Sequence, residues 1–255
     1  MGTSTRWKGP NGERWSSAAR RLARWRADSQ NADQQLEEIA ADYLRVLHET
    51  LRADRSVFGL YDTARAAGER LAGALGSLAV EGAESMDALV ARLVREVGGD
   101  GGTLADAAVR RGVAAAVRDT RDTHPEWGDA MDAGVADGGF AWDILCDLYQ
   151  WFFADMVGEF LRSVVAEHVT SAVPVLVATD PEGRIADWVA EAVVGLVPNP
   201  CEEYAGATDL AQAADTAREP SAVLPGGAES LVPKAVGKVL GLITGGITGE
   251  PEAAA

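Results

Sequence analysis

One long apolar segment, residues 140–172, reads FAWDILCDLYQWFFADMVGEFLRSVVAEHVTSA. In a helical projection its apolar side chains cover most of the circumference instead of forming one stripe. A helix with this pattern is buried on nearly all sides, so the segment predicts the central helix of a bundle. The side chains that form this apolar surface are Leu145, Leu148, Trp151, Phe152, Phe153, Met156, Val157, Phe160, Leu161, Val164 and Val165.

Several other segments have the pattern of amphipathic helices. Apolar residues recur three and four positions apart in residues 31–54, 57–79 and 85–97, and charged residues stand between them. Only residues 173–179 (VPVLVAT) look extended, and Pro174 makes them a poor central strand. The sequence therefore predicts an all-α fold, a bundle of about six to eight helices.

Local capping signals predict where some of these helices begin. Ser85 stands directly before an apolar periodic segment, and Asp180 precedes a proline at the first helical position. Thr103 and Asp106 have the spacing of a capping box. We expect helices to start after Ser85, Thr103 and Asp180.

Composition divides the chain into three predicted parts. Residues 1–28 are predicted to be a flexible, disordered basic tail rich in Trp and Arg, with a short helix from about Ser16. Residues 29–200 form the predicted helical bundle domain, in which residues 122–139 look like a loop. Residues 201–255 are Gly-, Pro- and Ala-rich, which predicts a loose, irregular region with one short amphipathic helix.

The charge of the chain is unevenly distributed. Residues 1–26 contain seven Lys and Arg residues and one Glu, which gives them a net charge of +6. Because the net charge of the whole chain is −16, the remaining residues have a net charge of −22. Two interpretations of this basic arm are open. It contacts nucleic acid or a partner through Arg20, Arg21, Arg24 and Trp25, or it lies on its own acidic body. Repulsion from that body makes nucleic-acid binding possible but not favoured.

Two further features bear on localisation. The N-terminal residues lack the apolar core of a secretory signal, and no run of eighteen uncharged apolar residues occurs. Cys146 and Cys201 have neither a C-x-x-C spacing nor the spacing of metal ligands. We therefore expect a cytoplasmic protein with no membrane span and with buried or idle thiols.

The common catalytic motifs are absent, including G-x-S-x-G, H-E-x-x-H and the Walker A loop. Two carboxylate pairs, Asp143 with Asp147 and Asp155 with Glu159, have helical spacing, but no Glu-x-x-His accompanies them. We expect a solvated acidic stripe, no catalytic residue, no metal and no cofactor. The alternative is a metal-dependent enzyme centred on Asp143, Asp147 and His168. The remaining histidines, His48 and His124, have no recognisable partner in the sequence.

Two short motifs resemble those of the QatB family of bacterial antiphage defence proteins. The first is Met1-Gly2-Thr3-Ser4, which is followed by a tail that contains Gly9-Pro10. The second is Gly101-Gly102-Thr103-Leu104-Ala105-Asp106-Ala107, which closes with Arg110 or Arg111. The resemblance covers about residues 1–170. The tail departs from the family pattern because it is more basic and richer in Trp.

The resemblance implies a non-enzymatic protein whose partners are encoded beside it: a QueC-like enzyme, an ATPase and a TatD-like nuclease. It implies that removal of Met1 exposes the α-amine of Gly2 as the acceptor of an activated 7-deazaguanine carboxylate. The residues that a partner would then recognise are Thr3, Ser4, Thr5, Arg6, Trp7, Gly9 and Pro10. The sequence leaves the oligomeric state open.

Overall fold

The computed structural model describes residues 12–81, 85–99, 101–133, 141–172, 180–207 and 220–243. These ranges contain ten α-helices and no strand, which confirms the all-α prediction and exceeds the six to eight helices expected. A short 3₁₀ turn, Val57–Gly59, lies between the second and third helices. The helices are α1 (Glu13–Arg24), α2 (Ala32–Ala53), α3 (Leu60–Glu81), α4 (Met86–Val97), α5 (Leu104–Thr123), α6 (Pro125–Asp132), α7 (Trp142–Ala172), α8 (Pro181–Val194), α9 (Pro200–Ala207) and α10 (Pro220–Val239).

Helix α7 is the centre of the bundle, as its sequence predicts. Phe152, Phe153 and Phe160 are fully buried, and α5 and α8 pack along the helix. Two glycines allow this close packing. A Cβ atom at Gly112 of α5 would lie 2.8 Å from the backbone nitrogen of Met156. A Cβ at Gly158 of α7 would lie 2.5 Å from the Ala186 carbonyl oxygen of α8.

The predicted helix starts are confirmed. The Ser85 hydroxyl accepts a hydrogen bond from the Ala88 N–H at 3.2 Å. Thr103 and Asp106 form a complete capping box, with both hydrogen bonds at 3.0 Å. The Asp180 carboxylate accepts from the Gly183 N–H at 3.1 Å. These caps satisfy backbone donors that the first turn of a helix leaves unpaired.

The short helix predicted from about Ser16 is present as α1, which begins three residues earlier, at Glu13, and belongs to the core instead of a flexible tail. Trp15, Ala18, Leu22 and Trp25 are each 2% exposed and lie on one side of this helix. They pack against α2 and α7. Burial of four apolar side chains, two of them indoles, supplies the stabilisation that the polar composition does not indicate. Residues 1–11 of the predicted tail lie outside the described residues.

The C-terminal part is also more regular than predicted. Helix α10 packs against α3, and its buried side chains include Val232, Val236 and Val239. The core therefore continues past residue 200, where the bundle domain was expected to end. The sequence also predicts a short helical stretch at 208–217, which lies outside the described residues.

Two further loop predictions differ in their outcome. Pro125–Asp132 inside the predicted loop at 122–139 is the helix α6, with Pro125 at its first position. Proline suits that position because the N–H it lacks has no partner inside the helix. The extended segment expected at 173–179 lies outside the described residues.

The prediction of idle thiols is wrong. Cys146 of α7 and Cys201 of α9 form a disulfide, with their Cα atoms 6.2 Å apart. The two residues are 55 positions apart, so the fold and not the local sequence brings them together. Among the helices that the structure describes, none is long and apolar enough to cross a membrane.

Candidate functional site

Helix α1 is attached to the body at its first turn. The Trp15 indole N–H donates to the Thr50 hydroxyl at 3.1 Å, and Arg14 forms an ion pair with Glu49. The Trp15 ring also lies 6.1 Å from the Tyr43 ring. The segment that precedes Gly12 therefore starts from a fixed point beside the C-terminal half of α2.

The predicted modification and recognition residues lie outside the described residues. They are Gly2, Thr3, Ser4, Thr5, Arg6, Trp7, Gly9 and Pro10. Covalent geometry still limits their reach. Gly2 lies ten positions before Gly12, so the α-amine of Gly2 can lie at most about 33–36 Å from the fixed point.

The described part of the basic arm, residues 12–26, packs on the acidic body, which is the second of the two interpretations. Arg21 of α1 donates to Glu38 at 3.0 Å and also pairs with Asp42, both on α2. The Trp25 indole N–H donates to the Ala32 carbonyl oxygen at 2.8 Å. Trp25 is buried and also faces the Arg184 guanidinium, 6.0 Å from its ring. Because a buried ring cannot stack on a base, Trp25 is not available for the possible nucleic-acid contact in this fold.

A smaller basic patch remains on the outer side of α1. Arg20 and Arg24 are exposed, and within the described part of the chain neither forms an ion pair. A cavity of about 220 Å³ lies beside Arg24, with the Trp25 indole and Ile39 in its wall. This patch is the part of the predicted contact surface that stays accessible.

The second resemblance motif forms one connected structural unit. The Arg110 guanidinium donates to the carbonyl oxygens of Gly98 and Gly99, at 3.1 and 2.7 Å. Gly101 has a φ of +80°, which a residue with a side chain rarely adopts. Arg110 and the Thr103–Asp106 capping box hold the two ends of the α4–α5 connection. The motif therefore fixes the conformation of the turn between these two helices.

Two side chains expected on a solvated acidic stripe are buried instead. Asp155 is 3% exposed and Glu159 is 9% exposed. Glu159 pairs with Arg111 at 2.8 Å and with Arg162 at 3.3 Å. The stripe prediction is wrong for this pair because α5 covers that side of α7.

The Asp155 carboxyl has an unusual environment. Burial, with a smaller contribution from the neighbouring Asp119 carboxylate, raises the pKa of Asp155 to about 9. Asp155 is therefore a neutral carboxylic acid at pH 7 and is hydrogen-bonded to Asp119. Arg118 compensates the Asp119 charge through two hydrogen bonds, at 2.6 and 3.1 Å.

The histidines have partners that the sequence does not reveal. His124 Nε2 lies 2.7 Å from Asp147 Oδ2, and this hydrogen bond raises the pKa of His124. His48 Nε2 lies 3.0 Å from the Val239 carbonyl oxygen. Arg52 donates to the Gly241 carbonyl oxygen at 2.6 Å, so α2 holds the end of α10 at two points. Burial lowers the pKa of His168, which lies beside the Tyr43 ring.

The alternative metal site does not assemble. Asp147 and His168 lie on the same helix, 21 residues apart, which corresponds to about 31 Å. Asp147 is instead the partner of His124. In the described ranges no three His, Cys, Asp or Glu side chains are grouped so that they could hold a metal ion.

No protein-family model matches this chain, and neither a curated protein nor a solved structure matches it.

Proposed function

We propose that this chain is a non-catalytic component of a cytoplasmic bacterial antiphage defence system. In this proposal its body docks partner proteins, and its N-terminal segment presents Gly2, after removal of Met1, to a QueC-like modifying enzyme. The two short motifs that resemble the QatB family supply the chemistry of the proposal. The structural observation that supports it is the attachment of α1 by Trp15 and Arg14, which gives the segment a fixed origin on the body.

The chemistry suits a chain terminus. The partner enzyme activates the carboxylate of a 7-deazaguanine with ATP. The neutral α-amine of Gly2 then attacks the activated carbonyl carbon. The leaving group departs, the nitrogen loses a proton, and an amide forms. An α-amine has a pKa of about 8, so a useful fraction is neutral near pH 7. Glycine adds the least steric hindrance at the attacking nitrogen.

The length of the segment also suits delivery to an enclosed active site. The residues proposed for recognition, Thr3 to Pro10, lie between the reactive amine and the anchored helix. A reach of about 33–36 Å exceeds the depth of ordinary active-site clefts, so docking of the body does not need to bring the two surfaces into full contact. The ATPase and the TatD-like nuclease of the same system are further proposed partners.

The alternative, nucleic-acid binding through the Arg- and Trp-rich arm, has less support. Trp15 and Trp25 are buried, and Arg14 and Arg21 are paired with carboxylates of α2. Four of the side chains that would stack on bases or contact phosphates are therefore engaged within the chain itself.

Intact-mass measurement after co-expression with the QueC-like enzyme tests the proposal. We expect a mass increase equal to one deazaguanine acyl group, located on Gly2 by peptide mapping. Gly2→Pro removes the primary amine and should abolish the increase. Gly73→Ala is the matched control, because an added Cβ at this position in α3 meets no atom within 4 Å. The proposal would be refuted if the wild-type protein stayed unmodified after co-expression with a QueC-like enzyme that is shown to be active on its nucleotide substrate.

A further inference from the structure

The disulfide between α7 and α9 joins two positions of different accessibility. Cys146 is buried inside the bundle, whereas Cys201 is half-buried at the second position of α9. A reductant can therefore approach the bond from the Cys201 side. The N-terminal end of a helix also stabilises a thiolate, so Cys201 is a good leaving group when the mixed disulfide on it is resolved.

The other described contacts of α9 are weak or local. Glu203 pairs with Lys234 of α10 at 3.1 Å, but both side chains are about half exposed. An exposed ion pair of this kind adds little to stability. The Cys201 N–H donates to Asn199, two residues away, and this bond does not attach α9 to the bundle. The loop before α9 is attached more firmly than α9 itself, because the Val197 side chain is buried in the core and Gln150 donates to the Val197 carbonyl oxygen at 3.1 Å.

Helix α9 and this loop form one wall of an open cavity of about 560 Å³. Glu202 and Glu203 line it from α9, and residues 195–199 line it from the loop. Gln150 of α7 and Lys238 of α10 also line this cavity. The position of α9 therefore sets the shape of this cavity.

We infer that the Cys146–Cys201 bond is a redox latch that holds α9 against α7. A dithiol reductant attacks the Cys201 sulfur, and the S–S bond breaks to release the Cys146 thiolate. The second thiol of the reductant then resolves the mixed disulfide. The protein gains two electrons and two protons and carries two thiols, and the reductant leaves as a disulfide. The α9 part of the cavity wall is then free to move, and α5, α7 and α8 stay packed. This inference does not depend on the modification of Gly2.

Hydrogen exchange of the full chain with and without dithiothreitol tests the latch. We expect α9 to exchange at least about tenfold faster after reduction, with α5 unchanged, because only local contacts are lost. Cys201→Ser should show the faster exchange without reductant and should not respond to dithiothreitol. Cys146→Ser provides a second variant with the same expected behaviour.

Three results would overturn the inference. Equal protection of α9 in both states would mean that the bond does not hold α9. Loss of protection in α5 together with α9 would mean that the bond stabilises the whole fold and is not a local latch. Alkylation of both cysteines in protein purified without reductant would mean that the bond does not form.

Discussion

Asp155 is a neutral carboxylic acid inside an apolar helix, and the sequence contains no signal for this state. Asp155 and Glu159 have the i, i+4 spacing of an ordinary exposed acidic face, which is why they were predicted to be solvated. Their burial depends on α5, whose close approach requires Gly112. The sequence around a residue does not show which helix will pack over its side chain. The burial of a single residue is therefore mispredicted where a contact with a distant helix buries a side chain that the local pattern places on the surface.

The raised pKa of Asp155 predicts a pH-dependent stability. Between about pH 4 and pH 9, the Asp155 carboxyl is protonated in the folded chain and ionised in the unfolded chain. Because the folded chain binds the extra proton, the free energy of unfolding falls as pH rises through this window. Asp155→Asn stays neutral and keeps a donor for Asp119. We expect it to raise the free energy of unfolding at pH 7 by about 1–3 kcal/mol.

Urea unfolding at pH 4, 7 and 8.5 measures this effect. The increase in the free energy of unfolding caused by Asp155→Asn should become smaller towards pH 4, where the carboxyl of the unfolded wild type is protonated as well. Asp129→Asn, at an exposed position of α6, is the control and should leave the pH dependence unchanged. A variant Asp155→Asn with the same pH dependence as the wild type would contradict a neutral Asp155.

At the scale of the helices, the sequence predicts elements with strong periodicity and local caps. Helices α2, α3 and α4 follow from the spacing of their apolar residues, and the caps of α4, α5 and α8 are formed by the residues expected. Helix α1 was underestimated although Trp15, Ala18, Leu22 and Trp25 have helical spacing, because Arg dominates its composition. Helix α6 lies inside the predicted loop at 122–139, because Pro125 begins a helix there instead of interrupting one.

The packing of α1 leads to a direct prediction. Trp25→Ala removes a buried indole and its hydrogen bond to Ala32, so the free energy of unfolding should fall by about 3–5 kcal/mol. Trypsin should then cleave α1 after Arg20 and Arg21. Arg24→Ala is the matched control: Arg24 is exposed and unpaired in the described part of the chain, and its loss should change stability by less than about 0.5 kcal/mol.

Urea unfolding and timed trypsin digestion check this pair of variants. If Trp25→Ala had the stability and the cleavage pattern of the wild type, α1 would be the flexible tail that its composition predicts.

At the scale of the whole molecule, both ends of the described chain return to α2. Helix α1 pairs with it through Arg21 and Trp15, and His48 and Arg52 hold the end of α10. The three parts predicted from composition are therefore not separate, and one core continues through the regions described. The disulfide and the contact between α10 and α3 join residues far apart in the sequence. No local pattern encodes such pairings, so the fold class was predictable and the boundaries were not.

The account depends most on the claim that Gly2 is presented from an anchored helix. The most direct test combines the purified full chain with the QueC-like enzyme, ATP and the 7-deazaguanine carboxylate, followed by peptide mapping of the N-terminus over time. We predict one acyl group per chain on Gly2, formed more slowly in Trp15→Ala, where the origin of the segment is no longer fixed. An N-terminus that stays unmodified while the enzyme consumes ATP on its nucleotide substrate would contradict the account.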